Sequence, residues 1–170
     1  SISSLGLNPV LVNRFVKSVA NINIYLANGY FLRFLSSFAS YFLFIIFIFF
    51  FHEDMNYIKY SLILGICLIF KSSEVLFSYF EAKILSKKIV QSQFIGLITL
   101  FALQIIIIKF NLSINYIIWS FLIEAFVVAL FINIFFFSKN SFGLKLINNK
   151  IGQKLLKQSF PVLFSTISII

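Results

Sequence analysis

Four long apolar stretches constrain the fold of this chain more strongly than any other feature of its sequence. They cover residues 29–51, 57–80, 89–108 and 113–137. An α-helix rises about 1.5 Å per residue, so about 20 apolar residues cross the ~30 Å hydrocarbon core of a bilayer. Strands of a membrane β-barrel are about half as long and alternate in hydrophobicity, which these stretches do not. The pattern predicts four transmembrane helices in an all-α, polytopic membrane helix bundle.

The low fraction of charged residues argues against a soluble fold. Hydrophobic residues make up 61% of the chain and charged residues only 11%, whereas soluble domains carry about 25% charged residues. A small soluble domain leaves too much of its surface in water to hide so many apolar side chains. In a bilayer these side chains can face lipid, so the chain is predicted to be a multi-pass membrane protein.

Basic residues alternate between the two sides of the predicted bundle. Lys and Arg are concentrated before the first span, between the second and third, and after the fourth, and the other two connections carry fewer. They are Arg14, Lys17, Lys83, Lys87, Lys88, Lys139, Lys145, Lys150, Lys154 and Lys157. Cytoplasmic loops carry this excess, so these segments are predicted to be cytoplasmic. The net charge of +9 mostly reflects this bias, and no nucleic-acid partner is expected.

The spans divide the chain into four parts, namely residues 1–28, 29–138, 139–158 and 159–170. The first part is predicted to be the end of a truncated span followed by a cytoplasmic loop, and the second holds the four complete spans. In the third part, apolar residues recur at helical spacing beside lysines, which predicts a basic amphipathic linker helix on the inner leaflet. The fourth part predicts the start of a further span, with Ser159 as its N-cap and Pro161 in its first turn.

Four ionisable residues within the spans are the candidate substrate or cavity residues: Arg33, Lys71, Glu74 and Glu124. Charges inside a bilayer are costly and usually face the interior of a helix bundle. Lys71 and Glu124 both lie near the middle of their spans. The four residues predict a hydrated central cavity in which Lys71 and Arg33 attract an anionic head group, while Glu124 exchanges a proton or balances a cation.

A purely structural interpretation stays open for these residues. Glu74 follows Lys71 at i,i+3, so the two are expected on one helix face, where they could neutralise each other and join helices. Arg33 lies one turn inside its span and is expected to extend to the membrane interface, which favours a structural role. Glu124 has no charged neighbour on its own helix, which favours a cavity role, with Lys71 of another helix as its candidate partner.

No catalytic residue, metal site or cofactor site is predicted. The sequence holds one histidine, His52, in a short external connection, and one cysteine, Cys67, within a span. It has no cluster of His and Cys at metal-ligand spacing, no glycine-rich phosphate loop and no nucleophile elbow. The chain is therefore not expected to be an enzyme.

Two stretches resemble bacterial O-antigen and polysaccharide flippases of the Wzx type. In that family one span ends in an aromatic-Phe-Gln-Ala-Lys type sequence before a short basic loop, and the seventh span opens with a Leu-Leu-Lys-x-Ser-x-Pro pattern. Residues 74–90 contain the first pattern and residues 155–163 the second. They are Tyr79-Phe80-Glu81-Ala82-Lys83 and Leu155-Leu156-Lys157-Gln158-Ser159-Phe160-Pro161. Glu81 stands where glutamine is commoner. The order of a basic loop, four spans, a basic linker and a Ser-x-Pro helix also fits.

The resemblance implies a MATE-like transporter of the multidrug/oligosaccharidyl-lipid/polysaccharide exporter superfamily, with twelve or more spans in two lobes around a central cavity. This chain would be most of the amino-terminal lobe, in the bacterial inner membrane. Such proteins flip undecaprenyl-pyrophosphate-linked oligosaccharide, the repeat unit of O-antigen or capsule, to the periplasmic leaflet. The partners implied are the lipid-linked oligosaccharide, membrane lipid, a polysaccharide polymerase and a chain-length regulator.

Two alternatives stay open beside the flippase. A cation-coupled exporter of drugs or toxic compounds from the same superfamily would use aromatic and acidic residues in its cavity to hold cationic compounds. A membrane polymerase or acyltransferase of surface polysaccharide synthesis would need a large external loop or an intramembrane His/Asp site, and neither is visible in the sequence.

Overall fold

The computed structural model describes residues 7–17, 21–51, 54–138, 140 and 146–167, and in the last of these ranges it describes side chains as far as Ser159 and at Pro161. Every regular element in these ranges is a helix. In chain order they are α1 (Leu7–Lys17), α2 (Ile22–Phe51), α3 (Met55–Phe70), a 3-10 segment (Lys71–Glu74), α4 (Val75–Ala82), α5 (Ser86–Lys109), α6 (Ile114–Phe137) and α7 (Asn149–Ile167).

Four helical segments within these ranges are long and apolar enough to cross a membrane, which confirms the number predicted from the sequence. They are α2, the continuous segment Met55–Ala82, α5 and α6. Except at the start of α2, each begins and ends within about one helical turn of the predicted stretch. The agreement follows from the bilayer itself, because its thickness fixes how many apolar residues a spanning helix needs.

The amino-terminal part of the described chain is helical, both where the end of a span is predicted and in part of the predicted loop that follows it. In α1 the side chains of Leu7, Leu11 and Phe15 recur one turn apart, and all three are buried. The helix α2 then begins at Ile22, which is also buried. The predicted loop is therefore wrong over residues 22–28, because packing against α1 extends the helix beyond its membrane-spanning length.

A 3-10 segment lies just past the midpoint of the second span. The residues Lys71–Glu74 form a four-residue 3-10 helix between α3 and α4 without breaking the helical path. Within it, the hydroxyl of Ser73 donates to the carbonyl oxygen of Phe70 at 2.8 Å. Serine pairs and hydroxyls bonded to the preceding turn are known causes of local helix distortion. The span therefore changes its winding at the residues that carry its charges.

The contacts between helices join both neighbours along the chain and helices that are distant in sequence. α5 packs on α6, α6 on α3, and α3 on α2, while α1 packs on α2 and α4 and α7 lies against α1 and α2. The approach of α5 to α6 depends on Gly96, because a Cβ atom there would overlap the side chain of Val128.

The turns that follow α4 and α5 end both helices in the same way. The backbone N–H of Leu85 donates to the carbonyl of Phe80 at 2.8 Å, and that of Ile84 donates to Glu81 at 3.0 Å, which is a Schellman motif. Its left-handed position is occupied by Ile84, with φ 57°, and the corresponding position after α5 by Asn111, with φ 49°. Glycine or asparagine is usual at such positions, so the β-branched Ile84 is under backbone strain.

The hydrophobic core lies at the end of the bundle that is predicted to be cytoplasmic. Its buried members come from α1, the start of α2, α4, the start of α5, the end of α6, and α7. They are Leu7, Leu11, Phe15, Ile22, Leu26, Val75, Leu76, Tyr79, Phe80, Ile89, Ile132, Phe136 and Leu155. At the opposite end large aromatic side chains are exposed, with Phe50 at 83% and Phe51 at 68%. Such faces suit contact with lipid or with further helices.

The helix α7 differs from the prediction at its start. It begins at Asn149, after the side chain of Asn148 accepts from the N–H of Lys150 at 3.0 Å, so Asn148 is the N-cap. The helix continues through Pro161, and the Ser159 hydroxyl donates to the Leu156 carbonyl at 3.0 Å. The predicted N-cap at Ser159 is therefore wrong, because Ser159 lies inside a continuous helix. Residues 139 and 141–145 of the predicted linker lie outside the described residues.

The segment before α7 is tied to α2 through Asn28. This buried side chain accepts from the N–H of Asn148 at 2.9 Å and donates to the carbonyls of Leu146 at 3.2 Å and Ile24 at 2.7 Å.

The amphipathic pattern of α7 is as predicted, since Leu155 is buried while Lys150, Lys154 and Lys157 are exposed.

Candidate functional site

A cavity with both polar and apolar walls lies between the second span and the helices α5 and α6. It measures about 170 Å³. Its polar lining residues are Lys71, Ser73, Glu74, Gln93 and Glu124, and they come from three different spans. Three of the four charged candidates therefore meet at one site, and Arg33, the fourth, reaches Glu74 from α2.

The 3-10 segment explains why the second span supplies so many of these groups. A 3-10 helix has about three residues per turn, so residues three apart lie above one another. Lys71 and Glu74 both line the cavity accordingly, while Ser72 and Ser73 are buried. The i,i+3 relation predicted from the sequence thus places Lys71 and Glu74 at the same wall, although it does not make them an ion pair.

Glu74 pairs with Arg33 instead. The Nη2 atom of Arg33 lies 2.6 Å from a carboxylate oxygen of Glu74, and the Arg33 side chain is 0% exposed against 28% for Glu74. The expected extension of Arg33 to the interface is therefore wrong. With α2 packed on the 3-10 segment, the nearest partner for its charge lies inside the bundle.

The rest of the Arg33 guanidinium is buried and has no hydrogen-bond partner in the described part of the chain. Its Nε and Nη1 atoms make no hydrogen bond to any described residue, and neither do the buried hydroxyls of Ser37 and Ser78. Because buried donors without acceptors are costly, Arg33 depends strongly on Glu74 for compensation of its charge.

Lys71 and Glu124 have no ion-pair partner within 4.0 Å among the residues that the structure describes. Lys71 is exposed and Glu124 is half-buried, and both line the cavity. Cys67, one turn before Lys71, lies close enough to interact electrostatically with both charges. The proposed contact between Lys71 and Glu124 is thus a shared cavity wall and not a direct salt bridge. Both charges stay available to a third, bound group.

A second cavity, of about 330 Å³, lies on the other side of the 3-10 segment. The two cavities share Phe70, Ser73 and Ala129 in their walls. The second cavity also contains Asn133, which accepts from the hydroxyl of Tyr30 at 3.4 Å.

Sequence reasoning missed Asn133 because it does not share a helix face with Glu124. Nine residues at about 100° each place the two side chains on opposite faces of α6. An isolated asparagine in an apolar span was the available signal, since such side chains usually bond across helices.

The arrangement suits binding better than covalent chemistry. The cavity presents one cation, two carboxylates and a carboxamide, together with the aromatic rings of Phe70 and Phe77. Among the residues that the structure describes, no group of three His, Cys, Asp or Glu side chains could hold a metal ion. Comparisons with known protein families, with characterised proteins and with solved structures give no match.

Proposed function

We propose that this chain belongs to a membrane transporter that flips undecaprenyl-pyrophosphate-linked oligosaccharide across the bacterial inner membrane. The observation that carries the proposal is the cavity between the second span, α5 and α6, where Lys71 and Glu124 stand without ion-pair partners among the described residues. Charged side chains inside a bilayer are costly. Their presence in a helix bundle therefore favours a role in binding a ligand or an ion.

Lys71 is the residue proposed to attract the substrate. An ammonium group gives a strong point attraction to pyrophosphate or to acidic sugars, and the attraction grows in a partly desolvated cavity. Glu74 competes little for Lys71, because Arg33 already neutralises it at 2.6 Å. Glu124 is proposed to exchange a proton or to balance a cation during transport.

The architecture proposed is one lobe of a MATE-like bundle with twelve or more helices. It is supported by the resemblance of residues 74–90 and 155–163 to the polysaccharide flippases and by the exposed aromatic faces of the spans, which further helices would cover. The basic end of the bundle would face the cytoplasm.

A transport function is tested by changing Lys71 in the chromosomal gene. Lys71→Ala and Lys71→Glu are expected to abolish surface polysaccharide at unchanged protein abundance, and Lys71→Arg to keep part of it because the charge remains. Lys59→Ala, on the exposed face of the same span and outside the cavity, is the matched control and should leave the polysaccharide unchanged. Wild-type polysaccharide display from Lys71→Ala at normal abundance would contradict the proposal.

A drug or toxic-compound exporter is the second candidate, and the cavity wall gives it one specific argument. Glu74, Glu124, Phe70 and Phe77 together form the acidic and aromatic lining that suits an organic cation. For that function Glu124→Gln should lower resistance to cationic compounds while surface polysaccharide stays intact. In the flippase the polysaccharide should respond instead, and resistance should not change.

Orientation is tested by labelling single cysteines in a Cys67→Ala background. A cysteine at position 54 is expected to react with a membrane-impermeant maleimide in intact cells, and a cysteine at position 86 only after permeabilisation, because the lysine-rich connection should face the cytoplasm. Labelling of position 86 in intact cells would reverse the proposed orientation.

A further inference from the structure

A groove between α1 and α7 combines the features of a phosphate site. It measures about 380 Å³ and is lined by Val10, Asn13, Arg14 and Lys17 from α1 and by Gln158 from α7. That volume falls in the ~300–1,000 Å³ range of small-ligand sites. Four of the five side chains offer N–H donors, two of them cationic, and none of these lining residues is acidic.

Arg14 is held in place at the groove by its neighbours. Its Nε donates to the Oε1 atom of Gln158 at 3.2 Å, and its guanidinium carbon lies 6.0 Å from the centre of the Tyr25 ring. These contacts leave the two terminal nitrogens without a partner among the described residues. Those two nitrogens form the edge with which arginine binds phosphate oxygens in a bidentate manner.

The charge of the groove is not neutralised by protein. Neither Arg14 nor Lys17 makes an ion pair within the part of the chain that the structure describes. On α7, Lys154 lies one turn before Gln158 and is exposed, which adds a further cation nearby. Glu81 is the single acidic residue of the sequence on this predicted side of the membrane.

The groove lies at the end of the bundle that is predicted to be cytoplasmic, next to the start of the first span. Arg14 and Lys17 end the short helix that precedes the first span, and α7 is amphipathic with its lysines exposed. Basic pockets between membrane helices on the cytoplasmic side characteristically bind anionic head groups. We propose that the groove between α1 and α7 binds the phosphate of an anionic phospholipid of the inner leaflet. This inference does not depend on the proposed transport reaction.

The proposal is tested with purified, delipidated protein by titration with phosphatidylglycerol, with phosphatidylcholine as the uncharged comparison and inorganic phosphate as the soluble one. Lipid adducts are counted by native mass spectrometry, and thermal stability is recorded in parallel. We expect phosphatidylglycerol to bind and stabilise the protein and phosphatidylcholine to do so much less. Equal stabilisation by inorganic phosphate at the same concentration would overturn the assignment to a lipid.

Two variants locate the site. Arg14→Gln/Lys17→Gln should weaken phosphatidylglycerol binding on the order of tenfold to thirtyfold, because each cation near a membrane surface contributes substantially to anionic-lipid affinity. The matched control Lys83→Gln/Lys87→Gln removes the same charge from the same predicted side of the bundle and should change binding less than about twofold. Equal weakening by both double variants would reduce the groove to general surface charge and overturn the proposal.

The variant Gln158→Glu distinguishes a loss of lipid binding from a folding defect. The new carboxylate keeps the contact with Arg14 and should preserve thermal stability, while it cancels charge in the groove and repels phosphate. We expect this variant to lose phosphatidylglycerol binding to a similar extent. Unchanged binding in a stable Gln158→Glu protein would also overturn the proposal.

Discussion

Removing the two partners of the Arg33–Glu74 ion pair one at a time should destabilise the protein by unequal amounts. Glu74→Leu leaves Arg33 fully buried and removes the carboxylate from Nη2, while Nε and Nη1 already have no acceptor among the described residues. Arg33→Met leaves Glu74, which is 28% exposed and lines the cavity together with Lys71. The unpaired Arg33 would stay fully buried, whereas the unpaired Glu74 would stay partly exposed beside the cavity.

The difference in stability between the two single variants depends on how deeply the remaining charge is buried. A charge left unpaired in a buried site costs about 3–5 kcal/mol, and this range applies to Glu74→Leu. For Arg33→Met the cost should fall to roughly 1–2 kcal/mol, because a partly exposed carboxylate keeps polar contacts. The double variant Arg33→Met/Glu74→Leu should lie within about 1 kcal/mol of the unchanged protein, since apolar replacement of a whole buried pair is often neutral.

The measurement is the free energy of unfolding of the purified protein in detergent, by denaturant titration of all four members of the double-mutant cycle. Lys71→Met is the control, because it removes a charge from the same cavity wall without breaking an ion pair, and it should change stability little. Equal losses in the two single variants, or a double variant as unstable as Glu74→Leu, would refute the reasoning.

Two further predictions concern the backbone and the helix contacts. Ile84→Gly should raise stability by about 1 kcal/mol, because glycine adopts the left-handed conformation without the strain of a β-branched residue. Asn111→Gly at the equivalent turn should change it much less, and an unchanged melting temperature for Ile84→Gly would contradict the assigned strain. Gly96→Ala should lower the melting temperature, because its methyl group overlaps Val128, whereas Gly152→Ala meets no atom closer than 3.9 Å and should be tolerated. Equal melting temperatures for the two alanine variants would contradict the close contact of α5 with α6.

The sequence was most informative where a single physical rule sets the outcome. Span number and approximate span limits depend on bilayer thickness and hydropathy, which are local properties, and the structure agrees with both. The start of α2 was missed because Asn23 and Asn28 interrupt the apolar residues of the segment 22–28. Their helix depends on α1, against which Ile22 and Leu26 are buried.

The ion pairing of the site could not be predicted, because it depends on which helices become neighbours. Sequence spacing correctly placed Lys71 and Glu74 on one wall, yet Glu74 binds Arg33, which is 41 positions away along the chain. The role of Asn28 was hidden for the same reason, since its partners Leu146 and Asn148 are distant in sequence.

The winding of the second span has a mechanical consequence. A 3-10 helix turns about 120° and rises about 2.0 Å per residue, against about 100° and 1.5 Å for an α-helix. If the four residues Lys71–Glu74 rewound into α geometry, α4 would turn like a screw by about 80° relative to α3 and draw in by about 2 Å. Because α4 packs on α1 and the 3-10 segment forms the wall between the two cavities, one rewinding step would link the membrane interior to the basic end of the bundle.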